Sequence, residues 1–495
     1  MTLLSPARTR FAPSPTGHFH IGGARTALYD FLLARQSGGR FVLRVEDTDQ
    51  KRFDPQAEVE MMDSLRWLGI EWDEGPDVGG PHAPYRQSER KEVYQRHTEQ
   101  LVAAGHAYPC FCSAERLAQV RQEQQQRHQS PRYDGLCRRL SSGEAAARRS
   151  QGESFVVRFR TPKEGTTTAV DHIRGPITIH NADLDDFILM KSSGLPVYHL
   201  AAMVDDREME ITHVLRSSEW LPTFPLHVLI YQAFGWPQPV WVHLSVFLNP
   251  SGKGKMSKRH AVEAKGGVNT IFTLEMKALG YLPEAVRNWL ALMGWSYDDH
   301  TELFSLPELV DKFSLDKLNP SPAAVNYSKL DHFNGIYIRS LTEADLAARL
   351  QPFFAAAGLP VQEDDLQPVI PLIRERVHTL DDAVEIAGFL FRPEVSPDPS
   401  RLVGKDMSPA DTRRALQGAR GCLEGIADLA PEPTEAALRK TAEELGISAA
   451  QLFGILRIAV TGQPVSPPLI ESMAIVGKQT VLGRIEQALR LLPEG

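Results

Sequence analysis

The stretch RFAPSPTGHFHIGGARTALYDFLL, Arg10–Leu33, decides the fold. A short apolar strand enters a loop holding two prolines, two histidines and three glycines, and the loop leads straight into a helical pattern. Ala24, Leu28 and Leu32 share one helical stripe, and Gly38 supplies the stop. Pro13 and Pro15 stiffen the backbone after the strand, while Gly17, Gly22 and Gly23 permit close approach of backbone to a ligand. A helix that begins near Ile21 turns its first amides and the positive end of its dipole toward the loop, which favours an anion such as a triphosphate. His18 and His20 add donors for charge on a phosphate. Taken alone, the loop reads equally as a strand-to-helix turn with no ligand.

Working outward, RFVLRVED reads as a buried strand and AEVEMMDSLRWLGI as an amphipathic helix. Strand, helix, strand, helix predicts a parallel sheet of the doubly wound type, so the fold class is α/β. From about Arg90 the character changes. A polar, Gln-rich segment, SAERLAQVRQEQQQRHQSPRYDG, precedes SFVVRFRTPKEG and ITIHNADLDDFILMKSSG, which read as antiparallel strands of an inserted α+β domain. The α/β pattern returns at PVYHLAAMVDDREMEITHVLR and PTFPLHVLIYQAFGW. Beyond KMSKRH the chain is largely helical, with helical spacing in LPEAVRNWLALMGW, Glu385–Phe391, EAALRKTAEELG and LFGILRIAVTG. The Pro-rich FRPEVSPDPSRLVGKDMSP predicts a loop between two helical units.

Bulk properties set the class. A chain of 495 residues suggests about three domains. With 42% hydrophobic and 23% charged residues it reads as an ordinary globular protein. No apolar run approaches the roughly 20 residues that cross a bilayer, and MTLLSPARTR does not have the form of a secretory signal. No membrane partner is expected. Four cysteines in this length do not build a disulfide scaffold, so a reducing cytoplasmic location is expected. The net charge of −8 argues against coating nucleic acid through bulk charge, but not against an enzyme with a local basic face.

A second stretch, NPSGKGKMSKRHAVEA at Asn249–Ala264, gathers Lys253, Lys255, Lys258 and Arg259 among small residues. A basic loop of this kind suits a polyphosphate leaving group; by itself it reads equally as a solvated charge run. Paired with HFHIGG, however, KMSKR resembles the second of the two signature motifs of class I aminoacyl-tRNA synthetases, in the family's order. TRFAPSPTG, LRVEDTD, HAPYRQSER, YHLAAMVDD and VLRSSEWLPTFPLHVLIYQAFGW are similar to bacterial glutamyl-tRNA synthetases, and the likeness runs from Arg10 to the C-terminal IAVTGQPVSPPLIESMAIVGKQTVLGRIEQAL.

The resemblance implies a Rossmann-type parallel-sheet catalytic domain with an inserted α+β acceptor-binding domain, followed by all-α anticodon-binding domains. Its pieces are expected at 1–95 (catalytic, first half), 96–195 (acceptor-binding insertion), 196–252 (catalytic, second half), 253–338 (stem contact with the KMSKR loop), 339–395 and 396–495 (two helical anticodon-binding domains). It implies activation of L-glutamate by ATP with Mg2+, then transfer to the terminal adenosine of tRNA(Glu), by a monomer. By position, His18, His20, Gly22, Glu219, Trp220 and Lys258 are implied at ATP, with His20, Lys255 and Lys258 catalytic. Gly252 and Gly254 are candidate hinges of the second loop. Arg10, Arg216 and Tyr198 are implied at the substrate carboxylates, and Ser14 and Glu46 at its ammonium. An arginine fork suits a carboxylate because it binds both oxygens. Read without the family, Glu46, Asp47 and Asp49 equally form a metal cluster or a surface run. Ala202 departs from the pattern, since some relatives carry Asn there, so one substrate contact is expected to be missing or replaced by water.

Cys110, Cys112 and Cys137 lie in the insertion. Some bacterial relatives bind zinc there through Cys-x-Cys and Cys-x-His, but Arg139 stands at the histidine position and cannot ligate. A shorter relative that glutamylates a tRNA base uses Cys-x-Cys, Tyr and Cys, and Tyr133 has that spacing to Cys137. Zinc on these four residues and three free cysteines are both open; Cys422 reads as core. In the tail, the resemblance implies that an Arg within IRERVHTL reads the third anticodon base, Arg376 being the match and Arg374 the alternative; by itself it reads equally as a surface helix charge. Whether tRNA(Gln) is also charged turns on that residue. A glutaminyl-tRNA synthetase typically shows FDDTN where this chain has VEDTD, and carries a β-barrel anticodon region where this tail reads as helical. A small-molecule nucleotidyltransferase has no need of such a tail, and a non-catalytic descendant has no need of intact His20, Lys258, Arg10 and Arg216.

Overall fold

The chain alternates β-strand and α-helix from its first described residues. The computed structural model describes residues 5–256 and 270–492, together with the backbone of 262–264 and 267–269. Two units separate: one runs up to Glu275 and includes Val286–Tyr327, and the other comprises Met276–Ala285 and the chain from Ser328 onward.

In the first unit β1 (Arg8–Phe11) and β2 (Arg40–Leu43) pair in parallel from Arg8↔Arg40 to Phe11↔Leu43, joined by α1 (Ile21–Gln36). Ala24, Leu28 and Leu32 are fully buried, and Gly38 past the helix end has φ +67°, as the stop signal requires. The strand predicted across RFVLRVED ends at Leu43; Val45 then makes a single parallel bridge to Arg86. Helices α2 (Pro55–Trp67) and α3 (Lys91–Ala103) follow, and Asp54 caps α2 with Pro55 in its first turn.

Next comes an antiparallel sheet of β3 (Ala107–Cys110), β4 (Val156–Phe159) and β7 (Ile188–Met190), with α4 (Ala114–Gln126) and α5 (Ser142–Ser150) between its first two strands. The Gln-rich segment is thus mainly helix. Ala, Gln and Arg favour helix, Ser113 caps it, and none of its residues is buried.

The hairpin of β5 (Thr166–Asp171) and β6 (Gly175–His180) pairs antiparallel. Through Asp171↔Trp241 it joins β9 (Val240–Leu244), which runs parallel to β8 (His213–Ser217). The sheet order β6-β5-β9-β8 is therefore mixed rather than purely parallel. Helices α6 (Tyr198–Glu208) and α7 (Phe224–Phe234) pack on it, and the Thr212 amide donates to Arg8 at 2.9 Å, setting β8 beside β1.

The second unit is helical. One apolar core gathers Leu346, Leu350, Phe354, Ile370 and Ile373; another gathers Leu416, Leu438, Leu452, Leu456 and Ile485 from helices Pro409–Gly425, Pro431–Leu445, Ala449–Thr461 and Lys478–Leu491. The Pro-rich connector holds one helical turn, Pro399–Leu402. Cys422 is half-buried against the second core. Among the described residues no single helix is long and apolar enough to cross a membrane.

Candidate active site

The loop between β1 and α1 lies at the carboxyl end of the parallel strands, where doubly wound sheets place their ligands. It is held from below: the carbonyl of Pro13 accepts from the Glu46 amide at 2.8 Å and that of Pro15 from the Asp54 amide at 3.0 Å. His20 is the cap of α1. Its Nδ1 accepts from the amides of Gly22 at 3.1 Å and Gly23 at 3.3 Å, while the Ile21 amide donates to the Ile271 carbonyl at 2.9 Å. The amides expected to face a phosphate therefore already have acceptors. An imidazole that accepts through Nδ1 carries its proton, when neutral, on Nε2, so a neutral His20 is a donor at that atom. A Cβ on Gly22 would stand 3.1 Å from that ring, which gives the glycine a reason beyond ligand approach. His18 is exposed and its Nδ1 lies 2.8 Å from Glu60.

Beside the loop lies a buried charge network. Arg10 Nε donates to Asp206 at 3.0 Å and its Nη1 to the Leu215 carbonyl at 3.2 Å. Arg44 donates to the same Asp206 oxygen at 2.8 Å and to Glu46 at 3.1 Å. Burial pushes the Asp206 carboxyl up, but Arg10 and Arg44 outweigh burial and hold it below its ordinary value. For Glu46 burial wins over the same two arginines, and its pKa is pushed up to about 7. Arg216 is buried, and its Nη1 approaches the Tyr198 hydroxyl at 3.4 Å. Tyr198 stacks on Trp220 with ring centres 3.9 Å apart.

Part of this network opens on one cavity of about 870 Å³. Arg10, Ser14, Glu46, Tyr198 and Arg216 line it together with His18, His20 and Gly22. Glu219, Trp220 and Lys255 complete the wall, and Lys255 pairs with Glu219 at the surface. Gly252 and Gly254 both have positive φ, +73° and +80°. Lys258 and Arg259 lie outside the described residues. Ala202 is fully buried in the core behind the cavity and does not line it. Asp47 accepts from the Ser88 amide at 2.8 Å, and Glu46, Asp47 and Asp49 do not form a converging group of metal ligands among the described residues.

Cys110, Cys112 and Cys137 are the grouping of potential metal ligands whose atoms converge among the described residues. The Sγ atoms of Cys112 and Cys137 are 3.6 Å apart, and the Tyr133 hydroxyl lies 3.4 Å from Cys110 Sγ and 3.7 Å from Cys112 Sγ. Tetrahedral zinc with its usual bond lengths needs about 3.8 Å between sulfurs and about 3.5 Å from sulfur to oxygen. The four residues fit that group. In the helical unit, Arg376 is exposed in a turn beyond the short helix Ile370–Ile373, not on a helix face. Its charge adds to burial in lowering the pKa of Arg457. Arg374 is half-buried, with Nε and one Nη buried and without a hydrogen-bond partner among the described residues.

Reading the sequence missed Arg44, Asp206, His227 and His243, which support the cavity from behind. For the two histidines a signal existed: a single imidazole in each of the apolar runs FPLHVLIYQAF and VWVHL.

Residues 6–332 match the family described as tRNA synthetases class I (E and Q), catalytic domain, and residues 345–489 match the anticodon binding domain. The chain is 44% identical over 497 residues to the glutamate–tRNA ligase of Dehalococcoides mccartyi, covering 99% of each. It is 47% identical over 498 residues to that of Roseiflexus castenholzii, covering 98% of this chain and 97% of the relative. Its structure is similar to the crystal structure of a glutamate tRNA ligase from Elizabethkingia meningosepticum in complex with its amino acid, with TM-score 0.87 and 34% identity over 99% of this chain and 100% of that one.

Proposed function

This chain belongs to the glutamate–tRNA ligases, class I aminoacyl-tRNA synthetases, and from that premise we propose how its residues divide the work. The reaction has two steps. The α-carboxylate of glutamate attacks the α-phosphorus of ATP; the bond to the bridging oxygen breaks, pyrophosphate leaves and glutamyl-adenylate forms. A hydroxyl of the terminal adenosine of tRNA(Glu) then attacks the activated carbonyl and AMP leaves.

Arg10 and Arg216 take the substrate carboxylates with help from Tyr198, and Glu46 with Ser14 takes the ammonium. The observation that carries this reading is the meeting of Arg10, Arg216 and Glu46, all buried, in a single cavity beside His20. That set matches the two negative charges and one positive charge of glutamate. His20 and His18 donate to the phosphates, Gly22 lets the nucleotide approach, and Trp220 and Glu219 hold the adenosine. Lys255 and Lys258 neutralise the departing pyrophosphate, with Gly252 and Gly254 as the hinges of their loop. Mg2+ enters with ATP as the counter-ion of its phosphates. The protein does no covalent chemistry. Orientation contributes about 7–11 kcal/mol in favourable systems, and stabilisation of charge supplies the rest.

Cys110, Cys112, Tyr133 and Cys137 would hold a structural zinc, which would tie β3 to the turn at Cys137. Residues 96–195 meet the acceptor end of the tRNA, 253–338 its stem, and 339–395 with 396–495 its anticodon, where Arg376 reads the third base. The protein works as a cytoplasmic monomer.

Glutamate-dependent ATP–pyrophosphate exchange, with and without tRNA and with glutamine as control, tests the reading. Exchange with glutamate supports it, and exchange confined to added tRNA means that tRNA completes the site. Exchange with glutamine in place of glutamate overturns the substrate assignment.

A further inference from the structure

Arg216 is held from behind by imidazoles. Its Nε donates to His243 Nε2 at 3.0 Å and its Nη2 to His227 Nδ1 at 2.8 Å. A guanidinium only donates, so both of these ring nitrogens are acceptors without a proton. The tautomers follow. His243 carries its proton on Nδ1 and donates it to Asp171 Oδ2 at 2.7 Å; His227 carries its own on Nε2 and donates it to His199 Nδ1 at 2.9 Å. His243, His227 and Asp171 are all essentially sealed from solvent. Burial and the charge of Arg216 hold His243 and His199 down at about 4 and His227 well below the ordinary value, so the three imidazoles stay neutral. Asp171 is fixed in turn by the amides of His243 at 2.9 Å, Ile173 at 3.1 Å and Arg174 at 3.0 Å.

We infer that His243 and His227, backed by Asp171 and His199, are positioning residues that hold Arg216 in one orientation for a substrate carboxylate. This rests on the reading of Arg216 as a glutamate-binding arginine. Two of the five guanidinium N–H groups go to the imidazoles, which leaves three for Tyr198 and substrate. The choice of neutral acceptors matters. Arg10 is paired with the carboxylate of Asp206, which offsets its charge, although Asp206 is shared with Arg44. Arg216 is bonded directly to neutral acceptors, and the Asp171 carboxylate stands one imidazole further back, so less of its charge is offset than that of Arg10. A carboxylate in place of either imidazole would fix the side chain equally well but compete with substrate. The relay also explains why the hairpin β5–β6 joins β9: the end of β5 brings Asp171 beneath His243.

The test is the exchange reaction in the presence of tRNA, run as a cycle. His243→Phe removes the acceptor, and His243→Gln returns an oxygen near the position of Nε2. His243→Phe is expected to raise the glutamate KM roughly 10- to 100-fold, the size of a deleted buried hydrogen-bond partner, with the ATP KM within about two-fold of wild type. His243→Gln should recover most of the loss, and in an Arg216→Ala background His243→Phe should add nothing. If His243→Phe does not fold, His227→Leu against His227→Asn makes the same comparison from the other side, since Asn returns an acceptor near Nδ1. Equal rises in both KM values, no recovery by Gln or Asn, or an undiminished effect in the Arg216→Ala background overturns the inference. An Arg216→Ala variant with an unchanged glutamate KM overturns the reading beneath it instead.

Discussion

On the proposed reading, Glu46 meets an ammonium from a buried position beside two arginines. Burial raises its pKa to about 7, so below that pH the group is largely neutral and cannot pair with a cation. Above it the carboxylate is charged. The expected outcome is a glutamate KM that falls as pH rises from about 6 to about 8, with the profile flattened and the KM raised in Glu46→Gln. An unchanged profile in Glu46→Gln would assign the titration elsewhere. Asp206 makes a different demand. It lies between Arg10 and Arg44, both buried, so Asp206→Ala leaves two cations with less compensation. The expected loss of stability is about 3–5 kcal/mol by urea unfolding, the cost of breaking a buried pair from one side. Neither Asp206 nor Arg44 was legible as a site residue, because partners 162 positions apart leave no local pattern. Arg10 and Arg216 were legible only through the family's text, since a single arginine has no periodicity to betray it.

His20 caps helix α1 and, on the proposed reading, also donates to ATP, and substitutions at this position separate the two roles. Asn is a good cap and lacks a donor at Nε2. His20→Asn is expected to keep the thermal stability of the protein and lose exchange rate, while His20→Ala loses rate and about 1 kcal/mol of stability. Equal loss of stability in both would refute the capping role. The cysteine cluster makes a prediction at the same scale. The purified protein is expected to contain close to one zinc per chain by elemental analysis, and Cys110→Ser or Tyr133→Phe to lower that content and the melting temperature. Zinc absent from protein refolded with the metal would leave three free thiols.

Local signals located the elements well where they were complete. The strand-to-helix step at Arg10–Leu33 and the helices Pro431–Leu445 and Ala449–Thr461 follow directly from apolar spacing and caps. The Gln-rich helix Ala114–Gln126 buries nothing, so it has no apolar stripe to read. The join of β5 to β9 depends on one pairing between residues 70 apart, Asp171 and Trp241, which sequence alone does not display.

At the scale of the whole molecule, a catalytic unit with a mixed sheet and a helical unit with its own two apolar cores account for most of the chain. Their helical or alternating character was legible from the change in periodicity after KMSKRH. What each unit is proposed to recognise rests on resemblance alone, since an exposed arginine in a turn looks the same whether it meets a base or water. For Arg376 the expected outcome is that Arg376→Gln changes the ratio of kcat/KM for tRNA(Glu) over tRNA(Gln) by about 10-fold or more with little effect on the glutamate KM. A parallel loss on both tRNAs would make it a general contact. The most direct measurement is aminoacylation itself: the purified chain, ATP, Mg2+ and labelled glutamate or glutamine, with tRNA(Glu) as acceptor. Glutamyl-tRNA(Glu) formed with wild-type protein, and abolished by Arg10→Ala and Arg216→Ala, is the result expected. Glutamine transferred instead, or glutamate transferred undiminished by both substitutions, would contradict the account.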